Sequence, residues 1–177
     1  LSPAGGEILR DADGIPTGVF IDNAMDLIAQ AVPKPTADEI TVALDTVSKH
    51  LLKLGITSTH DAGVSATEHA LYRELADSGA MQVRLYGMIS STDPELEQIL
   101  AAGHSLGSND MYSARSIKIY TDGALGSRGA ALIEPYQDRP DHSGLLLTSA
   151  EQLRQLFSLA TKAEFQVAIH AIGDKGN

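Results

Sequence analysis

The feature that most constrains this chain is an alternation. From residue 56 onward, short β-branched runs that end in polar residues take turns with capped segments whose apolar side chains recur at helical spacing. The runs are Ile56 to His60, Gln82 to Ile89, Ser116 to Tyr120 and Gln166 to His170. Between them, Ser65 with Glu68 has capping-box spacing before a helix to about Ser78, Asp93-Pro94 starts a helix to about Ala102, and Thr148 with Glu151 opens one that ends near Lys162. Strands alternating with helices pair in parallel, and right-handed crossovers put the helices on one outer side of a curved sheet. The expected fold class is therefore α/β, a partial (β/α)₈ barrel of the TIM type. The stretch from Thr121 to Leu147, rich in Gly, Pro and Asp, follows the C-terminal end of a strand, where such barrels carry their chemistry.

Residues 1–34 have a different grammar. Glu7 to Asp11 and Ile15 to Asp22 read as strands joined through Asp13-Gly14, a β-hairpin, and Asn23 to Ala31 as a short helix that Pro33 and Pro35 end. A new unit is expected from residue 35: Thr36 and Glu39 form a capping box, and Ile40, Ala43, Leu44, Val47, Leu51 and Leu54 continue at helical intervals to Gly55. The division expected is thus 1–34 and 35–177.

A formal charge of −10 argues against nucleic acid and anionic membrane as partners, because a polyanion is repelled by such a surface. No apolar run approaches the roughly 20 residues that span a bilayer, and the first residues lack a signal-peptide pattern. The chain does not start with Met, so a leader further upstream stays open, and the compartment, cytoplasmic or periplasmic, is undecided. Without cysteine there is no disulfide, thiolate metal site or cysteine nucleophile.

Several side chains carry chemistry by position. Lys118 alternates with Ile117 and Ile119, so it faces away from both, toward the sheet's interior side. It reads either as a lysine reaching to the mouth or pairing with Asp122, or as a Schiff-base, proton-transfer or carboxylated metal-bridging lysine. His170 closes Val167-Ala-Ile-His and is either a hydrogen-bonded core histidine or a metal ligand. His60 and Asp61 end their strand and are candidates to line a pocket. His50 and His69 lie within helices and are expected to be solvated. Asp122-Gly-Ala-Leu-Gly-Ser-Arg128 is a glycine-bearing turn that matches neither a Walker nor a dinucleotide pattern.

Three segments, Gly55-Ile-Thr-Ser-Thr-His-Asp-Ala-Gly63, Ile117-Lys-Ile-Tyr-Thr-Asp-Gly-Ala-Leu-Gly-Ser-Arg128 and Val167-Ala-Ile-His-Ala-Ile-Gly-Asp174, resemble the YtcJ-like branch of the amidohydrolase superfamily, as does the opening Pro3 to Val19. The resemblance implies a metal-dependent hydrolase of C–N bonds other than peptide bonds, acting on a small amide-type molecule through a metal-activated water, with the chain covering about strands 2 to 5 of the barrel. It implies one or two divalent metals, zinc the first choice, with His170 as the ligand ending the fifth strand and Lys118, carboxylated, at the fourth. It also suggests substrate contacts from Asp122, Ser127, Arg128, His60 and Asp61. The family's paired histidines on strand one, its strand-six histidine and its strand-eight aspartate have no counterpart here, so this stretch alone is expected to be inactive. Two other functions remain open from the residues: a Schiff-base lyase or aldolase using Lys118, and a non-catalytic half-barrel whose open edges serve assembly. Those edges lead to the expectation of a homo-oligomer.

Overall fold

A computed structural model describes residues 2–107 and 109–177. They form a mixed α/β protein of two compact units, one comprising residues 1–33, 120–153 and 169–177 and the other residues 34–119 and 154–168. Among the described residues no helix is long and apolar enough to cross a membrane.

The first unit starts with β1 (Gly6–Arg10) paired antiparallel with β2 (Pro16–Asp22), Glu7 opposite Ile21 and Gly6 opposite Asp22. A 3₁₀ turn at Asn23–Met25 and the one-turn α1 (Asp26–Ala29) follow, shorter than the helix expected to Ala31. The later pieces of this unit attach to the sheet through charge. Arg139 grips Glu7 with two nitrogens, at 2.6 and 2.8 Å, in a bidentate pair.

The second unit holds α2 (Ala37–Lys53), β3 (Ser58–Val64), α3 (Ala66–Asp77), β4 (Arg84–Ser90), α4 (Leu96–Ala102), β5 (Ser105–Leu106), most of β6 (Tyr112–Tyr120), the body of α5 (Ala150–Lys162) and the start of β7 (Gln166–His170). The sheet runs β3-β4-β6-β5, with β7 also on β6; β3, β4 and β6 are mutually parallel, and the two-residue β5 is antiparallel to β6. β5, like the start of β6 at Tyr112, gave no periodic signal in the sequence. In β6 the register slips between Ala114 and Ser116, so Arg115 is an extra residue, a bulge that bends the strand.

Both early capping boxes form: Thr36 and Ser65 accept the N–H of Glu39 and Glu68, whose carboxylates reach back. The third is displaced by one residue. Ser149 and Gln152 exchange the capping bonds at 2.9 and 3.2 Å, because the Thr148 hydroxyl is spent on the Tyr120 carbonyl at 2.6 Å. Asp93 does not cap α4 directly; it accepts the N–H of Glu95 and, across the unit, that of Ala66 at the start of α3.

The core lies between sheet and helices, where Leu85, Ile89, Tyr112, Ala114, Ile117 and Ile119 are buried with Tyr72, Ala76, Leu96 and Leu100. It contains a polar seam. His69, expected in solvent, is buried and its Nδ1 lies 2.8 Å from the Tyr112 hydroxyl, while the Tyr72 hydroxyl donates to Asp61 at 3.3 Å. Burial lowers the pKa of His69 and raises that of Asp61. His50, in contrast, is exposed.

The Glu7–Arg139 pair makes stability depend on acid. Its hydrogen bonds with Arg139 hold Glu7 below the usual carboxylate value of 4.5, so the unfolded chain binds the proton more readily. The stability this pair contributes is complete above that value and fades as pH falls through the lower folded value. Glu7→Gln is expected to flatten the decline in unfolding free energy between about pH 5 and pH 3, measured by urea unfolding; an unchanged slope would show that the pair is not coupled to folding.

Candidate functional site

The densest polar arrangement in the first unit is built around Asp122. It follows Thr121, whose N–H and hydroxyl both donate to the His170 carbonyl at 2.9 and 2.8 Å, so the end of β7 and the start of the long loop are joined. Asp122 is fully buried, and its two oxygens accept three backbone N–H groups: Ala131 at 2.9 Å, Ile172 at 3.0 Å and Gly173 at 2.7 Å. Burial alone would raise its pKa, but those N–H donors and His170 outweigh it, and the carboxyl sits below its ordinary value. The surroundings leave no room for side chains: a Cβ on Gly173 would strike the Ala131 backbone, and one on Gly176 would press on Asp122 itself.

His170 stands beside this carboxylate. Its Nε2 is 3.3 Å from the Gly123 carbonyl and 3.8 Å from Asp122 Oδ1, and its ring tilts against Tyr120. Both neighbours of Nε2 are acceptors, so an Nε2–H would be directed at them. The glycine turn closes on itself, with Gly123 N–H on the Gly129 carbonyl and the Gly129 and Ala130 N–H groups on the Ala124 carbonyl. Of the side chains expected to meet substrate, Ser127 Oγ donates to the Ala124 carbonyl at 3.1 Å, and Arg128 pairs with Asp138 at 2.6 Å. Asp174 Oδ1 accepts the Ile133 N–H at 2.9 Å.

Lys118, His60 and Asp61 belong to the second unit. Lys118 pairs in register with Ser90, on the opposite face from the fully buried Ile117 and Ile119, and partial burial lowers its pKa. Its Nζ approaches the Ile119 carbonyl at 3.4 Å. His60 lies against Tyr86, ring centroids 5.1 Å apart, and the two line a cleft of about 440 Å³ with Met88, Arg115, Ser116 and Glu164. Asp61, next in sequence, points to the helix side and to Tyr72. A residue that sequence reading passed over is Asp22, whose carboxylate is packed against Gly123 and Gly129 and whose Oδ2 is buried without a donor among the described residues. In the sequence it is the polar end of a strand before a turn, the most ordinary of aspartates.

Among the described residues no three histidine, aspartate or glutamate side chains are grouped so as to hold a metal ion. Asp122 has its oxygens occupied by N–H groups, and His170 amounts to one ligand where about three are needed. The residues present do not by themselves fit a metal.

The family model described as "Amidohydrolase family" matches residues 2–176. The chain is 36% identical over 99% of its length to Protein LONG AFTER FAR-RED 3 of Arabidopsis thaliana, and 34% identical over 97% to the putative amidohydrolase YtcJ of Bacillus subtilis. It is 28% identical over 97% to the N-substituted formamide deformylase of Arthrobacter pascens. The chain spans about a third of the length of each: 32%, 33% and 33%. Among solved structures, an uncharacterized metal-dependent hydrolase from Pyrococcus horikoshii superposes with a TM-score of 0.75 at 28% identity, over 96% of this chain and 35% of that one.

Removing the Asp122 carboxylate strands three N–H donors in a dry interior at about 1–3 kcal/mol each. Asp122→Ala is therefore expected to lower the unfolding free energy by about 3 kcal/mol or more, read from denaturant midpoints. A loss below about 1 kcal/mol would show that water or backbone rearrangement replaces the carboxylate.

Proposed function

The chain belongs to the amidohydrolase family, and from that premise we propose that the intact protein hydrolyses C–N bonds other than peptide bonds in small amide-type molecules. The observation that carries this reading is the setting of His170: an imidazole at a strand's C-terminal end, its Nε2 turned to the Gly123 carbonyl and the buried Asp122. A relative named for deformylating N-substituted formamides supports the bond type, and metal-dependent hydrolases of similar fold support a divalent metal, for which zinc is our choice. The sheet is read as part of a (β/α)₈ barrel. In the intact protein this segment would contribute His170, and Lys118 as a carboxylated lysine, to a ligand set that the described residues do not complete. In the reaction water adds to the amide carbonyl carbon, the C–N bond breaks, and the nitrogen leaves with a proton. We also propose that the intact protein is a homo-oligomer with no nucleic-acid or membrane partner.

The test is a pair of measurements on the intact protein: hydrolysis of N-butylformamide, and bound metal by mass spectrometry, in native protein and in His170→Ala. We expect at least a hundredfold loss of turnover and a loss of metal in the variant, with the thermal midpoint close to native, because a ligand's loss in such sites costs at least the ten- to hundredfold seen for its supporting groups. Full activity in His170→Ala removes the ligand role. The 177 residues alone are expected to show no hydrolysis; turnover by them would mean that their own side chains suffice.

A further inference from the structure

The buried face of α3 offers the sheet His69, Tyr72 and Ala76, two polar rings and one methyl group, in place of an aliphatic stripe. The helix is therefore fastened largely through hydrogen bonds. His69 Nδ1 meets the hydroxyl of the fully buried Tyr112 at 2.8 Å, the ring of Tyr72 packs edge-on against the same tyrosine, and the Tyr72 hydroxyl donates to Asp61 on β3. β4 makes room by carrying Gly87, where a Cβ would strike the Tyr112 hydroxyl.

Among the described residues no carboxylate pairs with His69. On α3 itself, Glu68 is committed to the Ser65 amide and hydroxyl, and Arg73, one turn on, repels a second cation. From the sheet, β6 presents Tyr112, β4 presents Gly87, and β3 presents Asp61, whose Oδ2 is taken by Tyr72. The side chains that α2 and α4 bury are Ser48, Leu96 and Leu100, none of them charged. An imidazolium in this place would be desolvated with no opposite charge beside it, so the neutral ring is favoured. Burial first, and Arg73 second, accordingly hold His69 below the ordinary histidine value of 6.5. We propose that His69 is an acid-sensitive latch: when it takes up a proton, α3 leaves the sheet while the strands stay paired. The released helix carries an ordinary histidine that binds the proton more readily, so closure is complete above 6.5 and weakens as pH falls below it. Asp61 acts in the opposite sense. Burial raises its carboxyl above 3.8, so the closed state binds that proton more readily and Asp61 favours closure as pH falls.

The test is amide hydrogen exchange read by mass spectrometry on the intact protein, with rates corrected for the intrinsic effect of pH. Between pH 7.5 and pH 5.5, peptides spanning Ala66–Asp77 are expected to lose protection by about tenfold, the factor that one proton gives over that range, while those spanning Tyr112–Tyr120 keep theirs. His69→Asn leaves Tyr112 a hydrogen-bonding partner that does not titrate, and its α3 protection should change by less than about twofold. Asp61→Asn removes the opposing group and should leave the loss at least as large as in the native protein. Exchange of the imidazole C2 hydrogen in the native protein gives the His69 titration without any variant and should place it below 6.5. Unchanged α3 protection in the native protein, a native response in His69→Asn, its disappearance in Asp61→Asn, loss of protection in α3 and β6 together, or titration of His69 at 6.5 or above each overturns the latch.

Discussion

Three backbone N–H groups converging on one buried carboxylate, Asp122, are the interaction on which the first unit depends. Ala131 belongs to the long loop and Ile172 and Gly173 to the segment after β7, so one side chain ties together stretches of chain that no regular secondary structure connects. The same bracket orients His170: the residue's carbonyl is held by Thr121, its imidazole by the Gly123 carbonyl and the charge of Asp122. A carboxylate is suited to this because it accepts several N–H groups at once and each bond to a charged acceptor is stronger than a neutral one. The absence of side chains at Gly173 and Gly176 follows from the same geometry, since the donors must approach backbone to backbone.

The two aspartates beside the glycine turn are opposites. Asp122 is saturated with donors and sits below its ordinary pKa, whereas Asp22 lacks a donor on Oδ2 and is raised, first by burial and then by the charge of Asp122. One carboxylate is saturated with backbone donors, and the other has an oxygen buried without one among the described residues. In the second unit the division falls across the sheet. The helix side carries the His69–Tyr112 and Tyr72–Asp61 contacts, and Gly87 lacks a Cβ because the Tyr112 ring and hydroxyl occupy its place. The other side presents His60, Tyr86, Met88 and Arg115 around a cleft.

Much of this was legible from residue order because the signals are local. Capping boxes at Thr36–Glu39 and Ser65–Glu68 act over three residues, and the face of Lys118 follows from its alternation with Ile117 and Ile119. The glycine turn and the strand ends also carried the family resemblance. What escaped depends on partners far along the chain. Thr148 loses its capping role to the Tyr120 carbonyl, Arg128 is claimed by Asp138, and His69 is buried by a tyrosine 43 residues away. Asp22 escaped most completely, because neither its positive φ nor the missing donor on its Oδ2 is displayed by a sequence. Boundaries read along the chain also presume contiguous units, while the first compact unit gathers 1–33, 120–153 and 169–177.

The central claim is that Asp122 holds the loop and the segment after β7 as one piece, and amide hydrogen exchange by NMR addresses it at the atoms concerned. If the carboxylate bonds exist as described, the N–H groups of Ala131, Ile172 and Gly173, which lie in no helix or strand, exchange as slowly as those of the adjoining β6, and all three lose protection together in Asp122→Ala. Exchange of the three at the rate of an open loop in the native protein, while β6 stays protected, would contradict the account.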